Sequence, residues 1–335
     1  MDLNTIAIRE EAGRHESLAL ALRAVAEAAG GEVDYDCLCA AMGVSFAAVS
    51  VRAEPAPGWW MTYGRDAFVE PAAALFGIRL RNLQPPAVGL EMTQAVEFPQ
   101  HFEASYKPLI QRALENGQPV IAWQGWPGVS GMFWGVITDA SGEAMSGTTM
   151  WAGSPHVQMV SPAVQCYVVE DCTPGLPPRD RLLAMAMRHA DAYMNRAPFQ
   201  LTAEDGLPAM ITGPAAFDAW ETWLSETEFG PPDQDASWRE HRQHAEFIVS
   251  SFRSAAGFLQ WIRSAAPRER QDAVGAMIDA CHEIVTRLTP STDEAGVRDA
   301  FTSADGRQQL LAAVHVAEAC NRRLALMIEE FAREM

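Results

Sequence analysis

The most constraining feature of this sequence is a stretch from residue 116 to residue 169 that carries only two charged side chains, Asp139 and Glu143. Within it, short β-branched or aromatic runs alternate with Gly, Ser and Pro. This pattern is typical of the central strands of a covered sheet. It predicts strands at about 119–123, 132–138, 145–151 and 164–169.

The first part of this stretch, residues 116–138, has no charged side chain and superficially resembles a membrane span. Glycines and prolines interrupt it repeatedly, so no continuous apolar helix of ~20 residues remains. We therefore predict two buried strands joined by a turn and no association with a membrane.

An edge strand and three helices are predicted ahead of this stretch. Alternating apolar and arginine residues at 78–81 indicate a half-exposed edge strand. A helix over about 14–29 ends at two glycines, and Asp34 can cap a second helix that ends at Gly43. Ser105 can cap a third, with Pro108 in its first turn. The N-terminal half is therefore an α/β or α+β domain.

The pattern changes at the proline-rich turn of residues 173–178, which we take as a domain boundary. After it no strand pattern is found, and apolar residues recur at helical spacing. Five helices are predicted there, around residues 182–194, 214–224, 238–262, 274–288 and 310–331. The expected architecture is α+β, with an α+β domain over 1–175 and a helical bundle over 176–335.

Composition excludes several classes of function. The 335 residues include 25 Lys and Arg against 43 Asp and Glu, a net charge of -18 that disfavours nucleic acid and anionic membrane surfaces as partners. The first residues lack the basic and apolar regions of a signal peptide, so a cytoplasmic protein with reduced cysteines is expected. Phosphate-binding glycine loops and the G-x-S-x-G elbow do not occur, and no cofactor is expected.

No metal site is expected either. Cys37 and Cys39 are two apart on a predicted helix and point to nearly opposite faces. The spacing of His241 and His244 is compatible with a metal, but their charged neighbours favour a partly solvated helix flank. His282 and His315 are expected at the boundary of their helices. Cys281 and Cys320 lie on apolar stripes and are expected to pack as small hydrophobes.

Two aromatic loops are candidates for ligand binding. They place large flat side chains beside glycine at predicted strand ends, as ligand pockets do. The alternative is that the tryptophans only cover the sheet edge and the helices. The candidate residues are Trp59, Trp60, Tyr63 and Arg65 in the first loop and Trp123, Gln124 and Trp126 in the second, with Trp134 on the following strand.

A series of short segments resembles a known family over about residues 10–170. The segments are His15-Glu16-Ser17 at the first helix, Gly30-Gly31, residues 33–36, residues 43–47, residues 114–122 and residues 134–139. In order and spacing they are similar to the N-terminal family of butirosin biosynthesis protein H, which is related to the C39-peptidase-like, papain-like fold.

The resemblance implies a sheet with a helix packed across it and a cleft between them. It also implies that active relatives use a cysteine at the helix start and a histidine early in the strand that here spans 134–138. This sequence has Ser17 and Trp134 or a neighbour at those places, and no Asp-Pro follows on the next strand. A serine without its base is a weak nucleophile, so peptidase activity is not carried over.

Three hypotheses follow. In the first, a catalytically degenerate papain-like protein binds a small molecule, peptide or acyl group in a cleft lined by tryptophans. In the second, Cys37 or Cys39 is the nucleophile of an acyltransferase or amide hydrolase, with His15 or His101 as base. In the third, the helical half is a scaffold that docks a partner, and a homodimer is compatible with it.

Overall fold

A computed structural model describes most of the chain. The described residues are 1–9, 11, 13–51, 68–83, 96–128, 133–142, 144–150, 156–195, 210–226, 231–264, 266 and 268–334. They form a mixed helix and sheet structure of the α+β type, as the sequence predicts. They group into two units, residues 1–38 with 63–178, and residues 39–62 with 179–335.

The first unit is built on a six-stranded antiparallel sheet with the order β2-β7-β3-β4-β5-β6. Its strands are β2 (Ile78–Asn82), β3 (Val120–Trp123), β4 (Trp134–Asp139), β5 (Ser146–Thr149), β6 (Val157–Gln158) and β7 (Gln165–Cys172). All five predicted strands are confirmed, and β6 was not predicted. β2 lies at an edge with alternating burial, and its Arg81 pairs with Glu170 of β7 at 2.7 Å.

β3 and β4 form the predicted pair of buried strands. Their register sets Ile121 opposite Val136 and Trp123 opposite Trp134. Every residue of β3 is buried, as expected for a strand covered on both faces. None of the described helices is both long and apolar enough to cross a membrane.

Helices cover the two faces of this sheet. The third predicted helix consists of three consecutive parts: α4 (Phe98–His101), a π-helical turn (Phe102–Tyr106) and α5 (Lys107–Glu115). It buries Ile110 and Ala113 against Val120 and Ala122 of β3. Because neighbouring strand residues point to opposite faces, Ile121 and Trp123 face the other side. There α1 (Ser17–Ala28) packs on β3 and β4.

The predicted cap at Ser105 is wrong. Ser105 lies inside the π-helical turn, with its Oγ 3.5 Å from His101 Nδ1. The helix begins earlier because Phe98, Phe102 and Tyr106 recur every four residues and bury one stripe in the core of the sheet. In contrast, the predicted cap at Asp34 is confirmed, since its Oδ1 accepts a hydrogen bond from the Cys37 amide at 2.8 Å.

The second unit is mostly helical. Its helices are α6 (Arg179–Asn195), α7 (Pro214–Glu226), α8 (Pro231–Arg263), α9 (Gln271–Leu288), α10 (Glu294–Ala300) and α11 (Ala304–Arg333). Five of them match the predicted helices, and α10 was not predicted. The described residues also form α2 (Tyr35–Ala41) and α3 (Val69–Leu75).

The expectation that no strand follows residue 178 is wrong. β8 (Met210–Thr212) pairs antiparallel with β1 (Val49–Val51), so that Val49 lies opposite Thr212. Gly213 then donates its amide to the Ala48 carbonyl at 2.9 Å. This pairing explains why residues 39–62 group with the helices, whereas the sequence assigned them to the first domain.

Candidate ligand-binding site

The first turn of α1 meets the first residue of β4 in the first unit. Ser17 is fully buried, and its Oγ accepts a hydrogen bond from the Trp134 backbone amide at 3.0 Å. The two positions that the family resemblance pairs as nucleophile and base are therefore adjacent in space. They carry a hydroxyl and an indole.

The start of α1 is fixed by a network that the sequence did not reveal. Glu16 is the N-cap, and its Oε1 accepts from the Leu18 amide at 3.0 Å. The Glu16 amide donates to the Tyr35 hydroxyl at 3.1 Å, and the Arg14 guanidinium lies 4.8 Å above the Tyr35 ring. A carboxylate thus already occupies the positive end of the helix dipole, so this terminus is not a free anion site.

Three stacked rings continue from this contact across the sheet. The Trp134 ring lies 6.3 Å from that of Trp123 and 5.6 Å from that of Tyr167, with interplanar angles of 35° and 30°. Gln165 lies opposite Trp123 in the register and donates from Nε2 to the Tyr167 hydroxyl at 2.8 Å. We call Trp123, Trp134 and Tyr167 the aromatic face.

The aromatic face contains a buried hydrogen-bond donor on Trp134. Trp134 Nε1 is buried and donates to no acceptor among the described residues. A buried donor without an acceptor costs about 1–3 kcal/mol relative to a satisfied one. A buried donor without a partner in a native protein requires an explanation, and one explanation is an acceptor atom on a bound ligand.

Trp126 does not belong to the aromatic face. It packs in the core on the opposite side of the sheet, and its Nε1 donates to the Ala122 carbonyl at 3.1 Å. A Cβ on Gly135 would lie 2.5 Å from its ring, so glycine is needed for this packing. Gln124 follows β3 with a φ of 63°, and its amide donates to the Phe133 carbonyl at 3.2 Å.

The other candidate residues are distributed as follows. Trp59, Trp60, Tyr63 and Arg65 lie outside the described residues. Trp123 and Trp134 are 5% and 0% exposed, so in this conformation they do not line an open cleft. His15, two residues before Ser17, is half-buried.

The thiols of the second hypothesis are poorly accessible. Cys37 and Cys39 on α2 are each 2% exposed. Two other cysteines, which are not part of that hypothesis, are poor nucleophiles as well. Burial raises the pKa of Cys166 to about 12 and, together with the Asp171 charge, that of Cys172 to about 11. His101 stacks edge-on against Tyr106, with ring centroids 5.4 Å apart.

The expectation that His241 and His244 are partly solvated is wrong. Both are fully buried in the second unit, and Trp220 packs against both rings at 5.1 Å and 4.5 Å. Trp220 Nε1 donates to His241 Nδ1 at 3.2 Å, which places the proton of that imidazole on Nε2. The pKa of each histidine is lowered to about 3, by burial in both cases and, for His241, also by the neighbouring His244.

Comparison with known proteins gave no relative: no protein-family model and no curated protein matches this chain.

Proposed function

We propose that this protein is a catalytically degenerate member of the papain-like, C39-peptidase-like fold that binds a neutral acyl, aromatic or peptide ligand at the aromatic face. The observation that carries the proposal is the hydrogen bond between Ser17 Oγ and the Trp134 amide at 3.0 Å. It joins the helix start and the strand start that hold the catalytic pair in active relatives of this fold.

The same contact argues against catalysis by Ser17. A serine nucleophile needs a base that removes its proton and an open approach to its oxygen. Here the hydroxyl is buried and accepts a backbone hydrogen bond, and the neighbouring ring is an indole, which has no basic nitrogen. These features support a binding role for this contact rather than catalysis.

The chemistry of the aromatic face suggests the ligand class. Stacked rings favour flat or apolar groups, and Trp134 Nε1 offers one hydrogen bond to a carbonyl oxygen. The net charge of -18 disfavours anionic ligands. An amide or acyl group attached to an apolar tail meets these requirements.

A thermal-shift titration tests the proposal with three neutral probes: N-octanoylglycinamide, benzamide and N-acetylphenylalaninamide. We expect at least one to raise the melting temperature with concentration, since a ligand that binds only the folded state stabilises it. Trp134→Phe keeps an aromatic ring but removes the N–H donor, and should weaken the binding of that probe about 3- to 10-fold.

Trp126→Phe is the matched control, because it removes an indole N–H on the opposite face of the sheet. It should leave the probe affinity unchanged. The proposal fails if none of the probes binds, or if Trp134→Phe and Trp126→Phe bind the successful probe equally.

The thiol-enzyme hypothesis has less support. It needs an accessible thiolate, whereas the candidate thiols Cys37 and Cys39 are buried. The helical scaffold remains a prediction, and no contact of the described residues favours it over ligand binding.

A further inference from the structure

A cluster of three potential metal ligands joins two helices of the second unit. Glu221 lies on α7, and His315 and Glu318 lie on α11. One ligand atom from each residue lies within 4.8 Å of the other two. His315 and Glu318 are three residues apart, a spacing that sets both side chains on one helix face.

The cluster is held in place on both helices. Glu221 Oε2 lies 3.2 Å from His315 Nδ1. Glu318 is only 6% exposed, and its carboxylate contacts Arg322, one turn further along α11. Arg322 in turn donates to both oxygens of Asp218 at 2.8 and 2.9 Å, which joins α11 to α7 a second time.

The charges of this region do not balance. Among the described residues, Arg322 contacts the carboxylates of Asp218 and Glu318, and Glu221 contacts His315, so three carboxylates share one guanidinium. Glu221 Oε1 is also buried and has no hydrogen-bond partner among the described residues. A buried carboxylate oxygen is costly unless it is paired or bound to a cation.

We propose that Glu221, His315 and Glu318 bind a divalent transition-metal ion, for which Zn²⁺ fits the ligand set best. One imidazole nitrogen and two carboxylate oxygens are ligands that zinc accepts at ~2.0–2.2 Å. The imidazole selects against Mg²⁺ and Ca²⁺, which prefer oxygen ligands alone. Three protein ligands leave at least one coordination position for water or another small molecule.

This site is independent of the aromatic face, since it uses only residues of the second unit. The proposal differs from the expectations that His315 is a boundary residue and that no metal site is present. The ligands come from segments about ninety residues apart, so their proximity is not visible in the sequence.

Isothermal titration of chelator-treated protein with ZnCl₂ tests the proposal, with MgCl₂ as the comparison metal. We expect one zinc per chain and no comparable heat from magnesium. His315→Ala should weaken zinc binding at least tenfold. This variant is expected to fold because the His315 side chain is 69% exposed, and circular dichroism would check it.

His282→Ala is the matched control, because His282 is an exposed histidine on α9 that contacts Gln260 rather than the cluster. It should bind zinc as the wild type does. Glu221→Gln, which preserves shape and removes charge, should also weaken binding. The proposal is overturned if the wild type binds no zinc, or if His315→Ala and His282→Ala bind it equally.

Discussion

Individual residues set the chemistry of the contact between α1 and β4. Ser17 and Trp134 touch through a backbone hydrogen bond, and Glu16 closes the helix end beside them. The resemblance implied that Ser17 and Trp134 or a neighbour take the places of the catalytic pair, and the family itself stays a prediction. It did not reveal Glu16 as the cap, because glutamate is not among the residues that usually cap helices.

The burial of His241 and His244 could have been predicted from their positions on the helix. His241 lies three residues after Trp238 and four before Ala245, within the apolar stripe that predicts α8. Its helical position therefore indicated burial, while the neighbouring charges of Arg239 and Arg242 suggested solvent. The periodicity was the better guide, since burial follows the helix face.

Burial of this pair makes the protein sensitive to acid. The pKa of each histidine is about 3 in the folded state and ~6.5 in the unfolded chain. Between these two pH values the unfolded chain therefore binds protons on both imidazoles and the folded chain does not. The free energy of unfolding should fall by about 1.4 kcal/mol per pH unit per histidine as the pH decreases through this window. Urea unfolding at pH 7, 6 and 5 would measure the slope.

His244→Leu should reduce that slope by about one histidine's share, because it removes one of the two imidazoles with a lowered pKa. Neither nitrogen of His244 has a hydrogen-bond partner among the described residues, so the substitution breaks no hydrogen bond there. Aspartates and glutamates remain in both proteins, so the difference between the two curves isolates the histidine. Parallel curves for wild type and His244→Leu would contradict this explanation.

At the scale of elements, local patterns were sufficient for the central sheet and insufficient for the strands that pair over long distances. β3, β4, β5 and β7 carry apolar runs bounded by turn residues, and these determine strands locally. β8 has three residues and pairs with β1, about 160 positions earlier in the chain. Neither run is long enough to be recognised without its partner.

The central strands also depend on a close approach between β4 and β5. A Cβ on Gly147 of β5 would lie 1.9 Å from the Val136 carbonyl oxygen of β4. Gly147→Ala should therefore lower the free energy of unfolding by about 1–3 kcal/mol or more, since backbone atoms must move. Urea denaturation would measure it.

Gly175→Ala provides the control for that change. Apart from its chain neighbours, no described atom lies within 4 Å of the place that an added methyl group would take, and the φ of Gly175 is outside the left-handed region. Its effect should stay within about 0.5 kcal/mol. Equal effects of the two substitutions would show that the β4–β5 approach is not a constraint.

At the scale of the whole molecule, the chain combines an antiparallel sheet unit with a mostly helical unit, and the candidate sites divide between them. The aromatic face belongs to the first unit and the Glu221–His315–Glu318 cluster to the second. The α+β class could be predicted because it depends on the order of local patterns along the chain. The sites could be predicted only in part, because stacking, orphaned donors and ligand clusters arise when distant segments meet.

We propose that the α1–β4 junction has the placement of a papain-like catalytic pair without its reactivity. Haloacetamide labelling at mildly acidic pH, followed by intact mass, tests it in wild type and in Ser17→Cys. A cysteine activated by a helix terminus and a base would be largely thiolate and would react fast. We predict slow labelling of the native thiols and of the introduced cysteine, because position 17 is buried and faces the Trp134 amide. A single fast label at position 17, Cys37 or Cys39 would contradict the account and indicate a thiol enzyme.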